Sequence, residues 1–113
     1  MKASRRMEGD VAVIALSGKL MGGPDAEGVR QVIRESLDEG TRKILVDVGE
    51  VSWVNSTGLG ILISSLAAVT DAGGKMKLCR VSHRVHQIFM VTKLHQVFDA
   101  HETVEEALKG FAG

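Results

Sequence analysis

The sequence is short of most features that would fix a function at sight. It has one cysteine, one proline, one tryptophan, no tyrosine and no excess of either charge over 113 residues. A lone Cys79 cannot close an internal disulfide, which fits a reducing compartment. Lysine plus arginine (14) equals aspartate plus glutamate (14), so no global field draws the chain to nucleic acid or an anionic membrane. No apolar run approaches the roughly 20 residues of a membrane span, so no membrane insertion is expected. The opening MKASRRMEGD is basic and lacks the apolar stretch of a secretory signal, so a cytoplasmic location is expected. Repeats and Pro/Gly/Ser-rich linkers are also missing. A single domain over residues 1–113, with its core at about 10–111, is the expectation.

What is present is an alternation of strand and helix patterns. VAVIALSG (11–18), KILVDVGEV (43–51), KMKLCRV (75–81) and QVFDA (96–100) read as short, largely buried strands. Between the first two, Pro24 suits a first helical turn, Gly40 suits a stop, and Val29, Val32, Ile33 and Leu37 keep helical spacing. LGILISSLAAVTDAGG is too long for a strand and gives a helix over about 57–72. Ser82 caps a helix whose Val85, Ile88 and Phe89 point inward. Thr103 and Glu106 have capping-box spacing before a stripe of Val104, Ala107, Leu108 and Phe111. Strands alternating with helices give an α/β class, with functional loops where strands lead into helices. Residues 18–24 and 54–58 are two such loops.

Familiar chemistries fail on named residues. Gly58-x-Gly60 begins a dinucleotide fingerprint, but Ile63 stands where the third glycine belongs. Gly74-Lys75 has no hydroxyl residue after the lysine, so it is not a phosphate loop. No glycine stands ahead of Ser56 as a nucleophile elbow requires. Asn55-Ser56-Thr57 matches a glycosylation acceptor, but a strand–helix junction in a chain without a secretory signal argues against a glycan. His83 and His86 could share a helix face, yet nothing nearby in sequence completes a metal set, and His95 and His101 fall near loops; no metal and no cofactor are expected. Cys79, within a strand, reads as a small core hydrophobe.

The stretch VSWVNSTGLGIL (51–62) remains. A helix starting near Thr57 has unpaired first-turn N–H groups that Asn55, Ser56 or Thr57 could cap. Three such residues followed by two glycines exceed what one cap needs. A phosphate on Ser56 would bring about −1.5 to −2 charges to the positive end of the helix dipole. The residues alone leave plain cap and modified cap equally open.

The element order, together with VSWVNSTGLGIL and more loosely VFDAHETVEEAL, resembles the STAS domain of anti-sigma factor antagonists and sulfate-transporter tails. The resemblance implies a mixed, mostly parallel sheet of about four to five strands packed with about four helices. It implies Ser56 as phosphoacceptor, with Thr57 the less favoured hydroxyl. It also implies a partner that is both anti-sigma factor and serine kinase, of the histidine-kinase-like ATPase type. Catalysis and ATP would belong to that kinase, making this chain a substrate and binding module, not an enzyme. The implied contact surface is Met21, Gly22, Gly23, Trp53, Asn55, Ser56, Thr57, Gly58, Leu59 and Gly60, with Met21, Trp53 and Leu59 as its apolar centre. Two positions depart from the family pattern: Asn55 and Met21 stand where aspartates are usual. Those departures motivate an alternative, a non-phosphorylated adaptor subunit of a transporter or signalling scaffold.

Overall fold

The computed structural model describes residues 1–112, the side chain of Asp25 excepted. The chain runs β1 (Lys2–Glu8), β2 (Val11–Leu20), α1 (Pro24–Asp38), β3 (Lys43–Val54), α2 (Ser56–Asp71), β4 (Lys75–Cys79) and α3 (His83–Val91). A 3-10 turn (Leu94–Gln96), β5 (Ala100–His101) and α4 (Val104–Ala112) complete it. The five strands lie in the order β1-β2-β3-β4-β5; β1–β2 is antiparallel and the other three pairs are parallel. This is the mixed, mostly parallel α/β sheet with four helices that the alternating pattern and the resemblance implied.

Side-chain alternation along the strands sorts the core into two layers. Ile14, Leu16, Ile44, Val46 and Leu78 face α1, α2 and α3 in the larger layer. Val11, Val13, Leu45 and Cys79 face the opposite way and are covered by Ala107 and Phe111 of α4. With both faces covered, β2 and β3 carry near-continuous apolar runs, as parallel strands between helices do. Consecutive crossovers of one hand put the first three helices on one side, leaving the other for α4.

Four boundaries differ from those read in the sequence. First, β1 was not expected: KASRRME is charged and mostly exposed, so its composition says loop. It is ordered by seven registered pairs with β2, from Lys2↔Ser17 to Glu8↔Val11. Gly9, at φ +62°, opens the two-residue turn where a hairpin favours glycine. Arg5 ties this edge strand to α1, at 3.0 Å from Ser36 Oγ and 2.8 Å from Glu39.

Second, QVFDA is not a strand. Lys93, left-handed at φ +62°, ends α3, and the 3-10 turn swings Phe98 beneath it, where its ring stacks on Phe89 at 5.5 Å. Pairing with β4 is left to Ala100 and His101. Third, β4 stops at Cys79 because Arg80 takes φ +57°. From there Arg80 pairs with the buried Asp47 carboxylate at 3.1 Å and with Glu50 at 3.2 Å, clamping β4 to β3. β3 itself continues to Val54, three residues past its expected end.

Candidate functional site

Because β2 and β3 run parallel, their C-terminal ends finish side by side, with Leu20 registered against Val54. The loop after β2 (21–23) and the start of α2 are therefore neighbours. Asn55 joins them. Its backbone N–H donates to Leu20 O at 3.3 Å, its Oδ1 accepts from Gly58 N at 2.8 Å as the N-cap of α2, and its Nδ2 donates to Met21 O at 3.2 Å. An aspartate could make the cap but has no proton to offer Met21. Asparagine at this position therefore binds the loop as well as starting the helix.

Two glycines make this closeness possible. A Cβ on Gly58 would lie 1.9 Å from Leu20 O, so only glycine lets α2 begin against the end of β2. Gly22, at φ +96°, lies so close to Thr57 that an added Cβ would be 2.5 Å from its Cγ2. The Thr57 methyl thus packs on the loop backbone.

Ser56 is exposed in the first turn of α2, and its hydroxyl has no hydrogen-bond partner among the described residues. Gly58 N is occupied by the cap, and Leu59 N reaches Asn55 O at 2.9 Å. The N–H groups of Ser56 and Thr57 have no carbonyl one turn behind them. The first turn carries no acidic residue to compete for them. An anionic group on Ser56 would meet open donors and the positive end of a 16-residue helix.

The expected contact residues divide by burial. Met21 (45% exposed) and Trp53 (41%) are open, as are Gly23, Ser56, Thr57 and Gly60; Asn55 and Gly22 are half-buried. Leu59, at 6%, is a correction to the expected apolar centre: the first turn rotates it into the core, alongside the buried Gly58. Sequence reasoning missed what surrounds Trp53. The Arg84 guanidinium lies 5.9 Å from its ring centroid, and Ile88 and Val91 of α3 line the same shallow groove. Val91 falls off the Val85–Phe89 stripe, which was the available signal for its outward position.

Cys79 is buried, and burial pushes its thiol up to about 12, so it stays protonated. His83, His86 and His101 line one cavity of about 470 Å3, which sequence spacing did not reveal. No group of three His, Cys, Asp or Glu among the described residues is placed to hold a metal ion. No helix among those residues is long and apolar enough to cross a membrane.

Fold and site together define a small mixed-sheet α/β domain that displays a hydroxyl at a helix start, beside the loop of the neighbouring strand. The chain belongs to the STAS domain family, which matches residues 3–107. It is 32% identical over 77 residues to the anti-sigma-B factor antagonist of Staphylococcus aureus, covering 68% of this chain and 71% of that protein. The crystal structure of a candidate anti-sigma factor antagonist from Thermotoga maritima superposes with a TM-score of 0.86 at 22% identity, covering 96% of this chain and 92% of that one. The phosphorylated form of the Bacillus cell fate determinant SpoIIAA superposes with a TM-score of 0.74 at 21% identity, over 97% and 99% of the two chains.

Proposed function

We propose that this chain is an anti-sigma factor antagonist, a protein-binding module and not an enzyme, switched by phosphorylation of Ser56. Its partner is an anti-sigma factor that is also the serine kinase, of the histidine-kinase-like ATPase type. Unphosphorylated, the chain binds that partner through the 21–23 loop and the start of α2. Phosphorylation releases it. The observation that carries this reading is the Ser56 hydroxyl, exposed and unpartnered beside the open first-turn N–H groups of α2. The chain's similarity to a curated anti-sigma-B factor antagonist supports the choice of partner.

In the transfer step the partner's ATP supplies the phosphoryl group. The Ser56 O–H bond is exchanged for an O–P bond, ADP leaves, and the proton goes to a base on the kinase. This chain contributes the nucleophile and holds it on a helix whose start Asn55 ties to the end of β2 and to the 21–23 loop. The added charge acts on a rim formed by Met21, Gly22, Gly23 and Trp53, none of them acidic, and so changes the local potential strongly.

One observation favours a second reading. Asn55 spends its amide proton on Met21 O, and the two positions lack the carboxylates usual in the family, which suits a non-switching adaptor. Co-expression with the cognate kinase and ATP, followed by intact-mass measurement, separates the two. The switch predicts one phosphate on the wild type and none on Ser56→Ala. Absence of a mass gain in the wild type, or the same gain in the variant, supports the adaptor.

A further inference from the structure

The inward residues of β3 break step twice. Ile44, Val46 and Val48 alternate as a strand should, but the next core residues are Val51 and Val54, each three positions on. The pairing with β2 breaks at the same places: Ala15 faces Asp47 but Ser17 faces Glu50, and Gly18 faces Val51 but Lys19 faces Trp53. β3 thus carries two β-bulges, advancing seven residues from Asp47 to Val54 while β2 advances five from Ala15 to Leu20. Without them Leu20 would stand beside Ser52, and Asn55 and Ser56 would overshoot the end of β2 by two residues, about 7 Å. Loss of one bulge alone would turn Trp53 inward and Val54 outward.

The first bulge is held from outside the β2–β3 pair. The buried Asp47 carboxylate accepts from Gly49 N at 2.9 Å. Arg80, the left-handed residue just past β4, lays its guanidinium over Gly49, where an added Cβ would lie 2.5 Å from Cζ. Its terminal nitrogens straddle the break: Nη1 donates to Asp47 Oδ2 at 3.1 Å and Nη2 to Glu50 Oε1 at 3.2 Å. Asp47 is the last paired residue before the bulge and Glu50 the first after it. The planar fork of arginine suits this span, and glycine at position 49 leaves room for it.

We propose that Arg80 is a positioning residue for the Ser56 surface. By closing the first β3 bulge over Gly49, it sets where Asn55 and the start of α2 meet the end of β2. It acts at a distance, through the backbone of residues 50–55. The proposal rests on the reading of the Ser56 end as the partner-binding surface. Phosphoryl transfer makes such placement matter, since a displacement of about 1 Å can cost about 100-fold in rate.

The test compares the wild type with Arg80→Gln, Gly49→Ala and Lys43→Gln. Arg80→Gln removes the charge and the fork, whereas Gly49→Ala keeps every charge and pushes the guanidinium away. Lys43→Gln breaks the surface pair with Asp10 at the start of β3 and controls for general loosening. In amide hydrogen exchange, Arg80→Gln and Gly49→Ala should each quicken Asn55, whose N–H bonds Leu20 O, and Gly58 by at least about tenfold. The β1–β2 ladder should exchange as in the wild type. The emission of Trp53, the single tryptophan, should shift in both variants and not in Lys43→Gln. With the cognate kinase, kcat/KM for phosphorylation of both should fall at least about tenfold. The proposal is overturned by exchange quickened evenly over the sheet, by the same pattern in Lys43→Gln, or by unchanged Asn55, Gly58 and Trp53. It is equally overturned if a kinase that modifies the wild type modifies both variants as fast. A wild type that takes no phosphate contradicts the Ser56 switch instead, and exchange and emission then decide the role of Arg80.

Discussion

Asn55 does two jobs with one amide, and separating them gives a direct residue-scale test. Asn55→Ala loses the cap on Gly58 N and the tie to Met21 O, and is expected to lower unfolding free energy by about 1–2 kcal/mol in denaturant titration. Asn55→Asp keeps the cap and adds favourable charge at the helix start, but turns an acceptor towards Met21 O. Its stability should fall between wild type and Asn55→Ala, and amide exchange in the 21–23 loop should quicken. Gly58→Ala is the harsher change. With Leu20 O at 1.9 Å from the new Cβ, either α2 or β2 must shift, and a cost of about 1–3 kcal/mol or more is expected in the same titration. Ser56 differs from both. It holds nothing in place, so Ser56→Ala should unfold within about 0.5 kcal/mol of the wild type. That separation lets function at Ser56 be tested without disturbing the fold.

Among the elements, the segment after α3 is the most instructive. Phe98 is 6% exposed and stacks on Phe89, so Phe98→Ala should cost about 3–5 kcal/mol, read as a lowered denaturant midpoint. QVFDA gave the wrong element because a short apolar run carries no period of its own; the left-handed turn at Lys93 and the ring beneath α3 are tertiary facts. β1 escaped for a different reason. Its residues have no apolar stripe, and only the ladder to β2 makes them a strand, although Gly9-Asp10 before an apolar run was a usable hairpin signal. By contrast, α1, α2, β2 and β3 were legible because their patterns match surfaces they bury. The caps of α3 and α4 were legible too: Val85 N bonds Ser82 Oγ, and Glu106 N bonds Thr103 Oγ1. For α2 the sequence left Asn55, Ser56 and Thr57 open, and the cap is Asn55, whose Oδ1 accepts from Gly58 N. The site was readable as a helix start. The bond from Asn55 to Met21 O was not, since it depends on two strand ends meeting 34 residues apart.

At the scale of the whole molecule, the outer strands and helix ends are joined by ion pairs that respond to acid. Lys77, largely buried beside Phe111 of α4, bonds the Asp99 carboxylate and holds it below its ordinary value of 3.8. Arg5 lowers Glu39, and Lys43 lowers Asp10, in the same way at the surface. A carboxyl depressed in the fold stabilises above its unfolded value and loses that contribution as pH falls through the folded one. Stability should therefore decline as pH drops below about 4, and Asp99→Asn should decline less steeply, as followed by thermal unfolding across that range. The central claim concerns another charge, the one added at the Ser56 end of the sheet. Its most direct test is a calorimetric titration of the cognate anti-sigma factor with this chain in two forms, unmodified and fully phosphorylated on Ser56. The account predicts measurable binding for the unmodified chain and at least about tenfold weaker binding for the phosphorylated one; equal affinity of the two forms would contradict it.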